Sequence, residues 1–186
     1  MPATVISNAL TVSDYLLLPE GGPRCQLIEG DFIMAPSPRR FHQDIAGNVF
    51  ALLREHVKRT RKGVVMIAPF DVYFDDHNVY QPDVLYISAA RTKKILLEDG
   101  VHGAPDLVVE VLSPGTARLD KDAKRRVYSR AGVAEMWLID PELRSVQIYR
   151  FAENADRPAA YLEFGDTLTT PLLPGFSVEL EKIFGT

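Results

Sequence analysis

Apolar and polar residues alternate along this chain in short blocks, and the blocks switch between helical and strand periods. "TVSDYLLL" reads as a short helix capped by Thr11, with Asp14 three residues on. In "CQLIEGDFIM" two apolar runs flank Glu29-Gly30-Asp31, the pattern of two strands around a tight turn. Ile45, Val49, Leu52, Leu53 and Val57 recur at helical spacing through "SPRRFHQDIAGNVFALLREHVKRT", which predicts an amphipathic helix. Its basic C-terminal end suits the helix dipole. "VVMIAPFDVYF" and "NVYQPDVLYIS" are rich in β-branched and aromatic residues and read as strands separated by the turn-like "DDHN". "RTKKILLEDG" predicts one or two helical turns ending at Gly100.

The second half continues the mixture. Residues 106–112 predict a strand, "TARLDKDAKRRVYSRAG" a helix closed by Gly132, and "AEMWLID" and "SVQIYRF" two strands joined by "PELR". Strand, helix and strand across 106–139 predict a parallel crossover inside a mixed sheet. The tail "AAYLEFGDTLTTPLLPGFSVELEKIF" reads as further short strands and a last turn of helix. No repeat, low-complexity stretch or linker divides the chain. The expectation is one α/β (α+β) domain over residues 1–186, large enough for a single sizeable core.

Composition narrows the class. With 46% hydrophobic and 25% charged residues, the chain has the proportions of a soluble globular protein. One cysteine, Cys25, excludes an internal disulfide and a cysteine-rich zinc site, and suits a reducing cytoplasm. The N-terminal stretch lacks a basic region followed by a long apolar run, and no run approaches the roughly 20 residues that span a bilayer. A cytoplasmic protein without a membrane partner is expected. Net charge is −4, from 21 Lys plus Arg against 25 Asp plus Glu, whereas a nucleic-acid-binding protein is expected to be basic. The clusters at Arg39–Arg40, Lys58–Lys62 and Lys121–Arg126 each read, taken alone, as solvated helix ends or loops.

The candidate chemistry begins with an acid in the wrong place. In "APDLVVEVLSPGT", Glu110 interrupts a buried-strand pattern and shares a strand face with Val108 and Leu112, opposite Val109 and Val111. An uncompensated buried carboxylate costs on the order of several kcal/mol. Asp83, after Pro82 in "VYQPDVLYI", is a second acid in apolar surroundings. Two such carboxylates disfavour each other's ionisation unless a cation joins them, and Mg²⁺ takes oxygen ligands of this kind. The plainer readings are a strand-start acid for Asp83 and an ion pair with a basic residue of the next helix for Glu110. Lys121, Lys124 and Tyr128 share one face of that helix. Lys124, with Lys121 in reserve, is the lysine placed to orient a water or hold charge on a phosphate.

These residues resemble a known family. "QPDVLYIS…APDLVVEVLSPGT…DKDAKRRVYSRAGVAEMWLIDP" is similar to the Uma family of restriction-endonuclease-like proteins, within the PD-(D/E)xK nuclease superfamily. The resemblance runs from "CQLIEGDFIMAPSP" to the "LPGF" near the C-terminus. It implies a restriction-endonuclease-like mixed sheet flanked by helices and a Mg²⁺ site at which Mn²⁺ can substitute. By position, Asp83 matches the metal-binding aspartate and Glu110 the second acid, with the Val111 carbonyl as a further ligand. The superfamily lysine is expected two residues after the second acid, where this chain has Leu112. In this family the lysine has migrated to the following helix, where Lys124 stands. Glu29 and Asp31 fall where the family carries acids, though the bland reading is a polar hairpin turn. His42 and Gln81 are further candidates to line the site.

The implied reaction is metal-dependent hydrolysis of DNA phosphodiesters. Cutting a duplex calls for two active sites, hence a homodimer. A noncatalytic DNA-binding or assembly module on the same fold is the alternative, favoured by the net acidity and the displaced lysine. A small-molecule hydrolase finds no support, because "SPGT" is not a nucleophile elbow and no Gly-rich phosphate loop is present.

Overall fold

The computed structural model describes residues 9–19, 24–34, 37–113 and 119–185, without the side chains of residues 119–121. Helix α1 (Val12–Tyr15) opens at Thr11, whose N–H and hydroxyl both donate to Asp14 at 2.8 Å. Strands β1 (Cys25–Ile28) and β2 (Asp31–Met34) form the expected hairpin, with Glu29 and Gly30 both at positive φ, as a two-residue primed turn requires. Helix α2 (Arg40–Thr60) buries Ile45, Val49, Leu53 and Val57. Four strands follow: β3 (Gly63–Ile67), β4 (Val72–Asp75), β5 (Asn78–Tyr80) and β6 (Val84–Ser88). After α3 (Ala89–Ile95) and β7 (Val101–His102) come β8 (Leu107–Val111), α4 (Leu119–Ala131), β9 (Glu135–Asp140) and β10 (Ser145–Arg150). The chain closes with β11 (Ala160–Leu162), β12 (Thr167–Thr169), β13 (Ser177–Glu179) and α5 (Leu180–Phe184).

The strand-rich middle departs from its sequence pattern. Each of the two long strands expected between Val64 and Ser88 is two strands, and the halves belong to different sheets. One sheet has the order β2-β1-β5-β4-β7 and the other β11-β10-β9-β8-β6-β3; β12 and β13 pair separately. Pro69 and Pro82 stand at the two breaks, and a residue without an N–H cannot continue a central ladder. Helix α3 has the two turns allowed for but begins at Ala89 and ends at Ile95 rather than at Gly100, because Leu96 leaves it to bridge Val101.

The crossover appears as expected: β8 and β9 run parallel, with Val109 opposite Trp137, and α4 connects them. One face of the six-stranded sheet packs on α2 and α5 through Ile45, Leu53, Val109, Trp137 and Ile183. Its other face carries α4, through Val108, Val127, Tyr128 and Met136. On that same side Leu85 and Ile87 pack against Val72 and Val101 of the smaller sheet. Strand β6 is antiparallel to β8, pairing Val84 with Val109 and Leu85 with Val108. One step further in the same register sets Asp83 opposite Glu110, on one face.

Candidate active site

Asp83 is held by its backbone as much as by its neighbours. Gln81 N–H donates to Gln26 Oε1 at 3.0 Å, and Gln81 Nε2 to Asp71 Oδ1 at 2.8 Å. Pro82 restricts φ, and the Asp83 carbonyl accepts from Ala68 N–H at 3.0 Å. The Asp83 carboxylate accepts from Val111 N–H at 2.7 Å and lies 3.3 Å from His42 Nε2, both through Oδ2. Among the described residues its Oδ1 accepts no hydrogen bond. Leu112 N–H turns to Ile139 on β9, so in extended chain both N–H and C=O of Val111 face the Asp83 side.

Glu110 makes an ion pair with the next helix, the plainer of its sequence readings, and gains a second partner beside it. Lys124 Nζ donates to both carboxylate oxygens, at 3.2 and 3.1 Å, and the Tyr128 hydroxyl donates to Oε1. Both partners come from α4, one turn apart. Tyr128 is fully buried, edge-on to Tyr80 and Phe74, and the Lys124 ammonium lies 6.0 Å from the Tyr80 ring centre. Burial pushes the Glu110 carboxyl up; the Lys124 charge opposes this, and the nearby Asp83 charge adds to it. Burial and Glu110 likewise raise Tyr128 well above an ordinary phenol. For His42, burial pulls down, but the Asp83 bond and the Asp83 and Glu110 charges outweigh it, and the ring is raised. The Val111 carbonyl adds to that rise, yet among the described residues no hydrogen bond of good geometry reaches the buried Nδ1.

Asp83, Glu110, Lys124, His42 and Gln81 line a cleft of about 330 Å³, with Arg24 and Arg39 also in its wall. Two carboxylates against one ammonium leave the cluster negative when His42 is neutral. Among the described residues no three His, Cys, Asp or Glu side chains converge as a metal cluster. The donors that do gather are the two carboxylates and the Val111 carbonyl, an all-oxygen set. That set fits Mg²⁺, which uses one or two carboxylates and fills its remaining positions with water or phosphate oxygen.

The other sequence candidates divide. Glu29 and Asp31 are absent from the cleft wall, because the hairpin enters it by its open end, through Gln26, Ile33 and Met34. Glu29 instead lies 4.0 Å from Arg126, and Asp31 is exposed. The Lys121 side chain and the loop after Ser113 lie outside the described residues. Tyr128, which the sequence places on one helix face with Lys121 and Lys124, reaches Glu110 as well as packing in the core. In sequence Arg39 reads as part of a solvated basic pair, and Arg24 carries no signal.

This geometry agrees with what the chain resembles. Residues 12–181 match the Uma2 family, described as "Putative restriction endonuclease". The chain belongs to the Uma2 family. A crystal structure of "a putative nuclease belonging to DUF820" from Anabaena variabilis superposes with a TM-score of 0.79 at 23% identity. The match covers 94% of this chain and 97% of that one, and at that identity it is a likeness of fold. No curated protein matches the sequence. In this Uma2 chain Leu112, two residues after Glu110, packs against the core beneath α4, and the ammonium at Glu110 comes from the helix. Among the described residues no helix is long and apolar enough to cross a membrane.

Proposed function

We propose that this Uma2 protein is a metal-dependent endonuclease hydrolysing phosphodiester bonds of DNA, working in the cytoplasm as a single-domain chain. The observation that carries the reading is the largely buried Glu110 carboxylate, in register with Asp83 and bridged to Lys124 in an open cleft. Asp83, Glu110 and the Val111 carbonyl would hold Mg²⁺, or Mn²⁺ in its place. Bound there, the ion supplies Lewis-acid neutralisation of the phosphate and lowers the pKa of the attacking water. Lys124 donates to the oxygen on which negative charge builds as water attacks phosphorus and one bridging P–O bond breaks. His42 holds Asp83 from the α2 side, and Arg24 and Arg39 orient the flanking backbone phosphates. Cutting both strands of a duplex assigns one site to each protomer of a homodimer.

The Lys124 and Tyr128 contacts also favour a second reading. A carboxylate so well partnered needs no metal, as in a noncatalytic nuclease-fold module. Nicking of supercoiled plasmid, with Mg²⁺ or Mn²⁺ and with chelator, separates the two. The nuclease reading expects metal-dependent nicking that Glu110→Gln abolishes while thermal unfolding stays cooperative. Metal-independent DNA binding without nicking at any metal concentration supports the module.

A further inference from the structure

A second cavity, of about 450 Å³, opens beside the cleft and shares Arg39, His42 and Ser113 with it. It lies at the C-terminal ends of the parallel strands β8 and β9, the edge of such sheets where ligands bind. Its chemistry differs from that of the cleft. Leu112, Pro141 and the exposed ring of Phe41 give it apolar walls, and Asp140 and Glu142 place two carboxylates in the lining. Asp140 Oδ1 accepts the Glu142 and Leu143 N–H groups at 2.9 and 3.0 Å, which fixes the turn. Among the described residues Asp140 Oδ2 and the Glu142 carboxylate accept no hydrogen bond.

A backbone phosphate would be repelled by this pair of acids. A flat ring with an apolar face and N–H donors on its edge is complementary to it. Resting on the nuclease reading above, we propose that this cavity takes the nucleobase next to the scissile phosphate and prefers guanine. Guanine offers N1–H and N2–H side by side, which one carboxylate accepts together. Cytosine and adenine set a ring acceptor beside their amino group, and thymine flanks its single N–H with carbonyls, so each turns a lone pair toward the acids. Phe41 supplies the stacking face, as in sites that hold an extruded base. Arg39 and His42, common to both cavities, stand where the adjoining phosphate passes.

The test is titration of the full chain, in chelator, with dGMP, dAMP, dCMP and dTMP, followed by amide shifts in NMR. The expected result is shifts at Phe41, Leu112, Ser113 and Glu142, with dGMP bound about tenfold more tightly than dTMP, a difference of about one good hydrogen-bonded contact. Phe41→Ala is expected to weaken all four by roughly tenfold, the loss of one stacking partner. Asp140→Asn combined with Glu142→Gln keeps an acceptor for the turn and is expected to bring dGMP down to the level of the others. Equal affinities in the wild type, a guanine preference that survives the double substitution, or shifts confined to the Arg24 and Gln81 side overturn the proposal. Guanine preference with no plasmid nicking would defeat the nuclease reading alone. Nicking without any base preference would defeat the pocket alone.

Discussion

Glu110 illustrates what keeps an ionisable side chain inside an apolar sheet. Moving one carboxylate out of water costs on the order of several kcal/mol even after the protein relaxes. The bidentate Lys124 contact and the Tyr128 hydroxyl offset that, and what is left over still holds the carboxyl above its ordinary range. His42 titrates in the opposite sense of charge but with a consequence of the same sign. Its folded pKa is raised above the ordinary 6.5, so the folded chain binds this proton more tightly than the unfolded chain. The resulting stability is complete below about 6.5 and is lost as pH rises through the folded value. Urea unfolding in chelator across a pH series measures it. The stability difference between wild type and His42→Gln is expected to shrink as pH rises, and a difference independent of pH would remove the Asp83 contact from the account.

At the scale of elements, the position of Lys124 follows from packing. Val127 and Tyr128 bury one face of α4 against Val108, and Lys124, one turn earlier than Tyr128, is carried to Glu110 by the same face. The ammonium beside Glu110 therefore comes from the helix and not from the strand itself. Strand β3 has a harsher constraint. After α2 ends at Arg61 in the left-handed region, Gly63 takes φ +147° and lies against β6 so closely that a Cβ there would meet the Ile87 carbonyl oxygen at 2.0 Å. The obstacle is backbone and cannot rotate away. Gly63→Ala is expected to destabilise the protein by about 3 kcal/mol or more, read as a lower urea midpoint. An unchanged midpoint would mean that β3 is not seated on β6 in this way.

Across the whole molecule, the cleft draws its wall from both sheets and two helices. The smaller sheet brings Gln26 and Met34, the larger one Glu110, the bend before β6 Asp83, α2 brings His42, and α4 brings Lys124. Net charge is −4, yet Arg24 and Arg39 put positive charge into the cleft wall. If they touch phosphates, each should contribute a released counterion. Arg24→Ala and Arg39→Ala are each expected to weaken duplex binding and to reduce the slope of log affinity against log salt by about one. Slopes equal to the wild-type value would place the DNA elsewhere. Sedimentation equilibrium at twice the chain mass is the expected result for the proposed homodimer.

How much of this could be read without coordinates depends on the range of the interactions involved. The α1 cap, the β1–β2 turn, the α2 stripe and the parallel β8–α4–β9 crossover were legible, because each rests on contacts within a few residues or on the period of one element. The prominence of Glu110 was legible for the same reason, since an acid inside an apolar run contradicts its own neighbours in sequence. Alternation also assigned Glu110 to the face of Val108 and Leu112, where α4 does lie. The split at Pro69 and Pro82 is not legible in sequence, because only pairing partners decide which sheet each half joins. The same limit applies to Glu110: an ion pair with the next helix is one reading of the sequence, but that the shared face of Lys124 and Tyr128 closes over the acid is a fact of helix-on-sheet packing. The exclusion of Glu29 and Asp31 from the cleft, and the entry of Arg24 and Arg39, depend on which end of a hairpin and which end of a helix meet across two sheets. Local chemistry in the sequence determined that Asp83, Glu110 and Lys124 were worth watching; only tertiary packing, which joins residues far apart in the chain, decided that they meet.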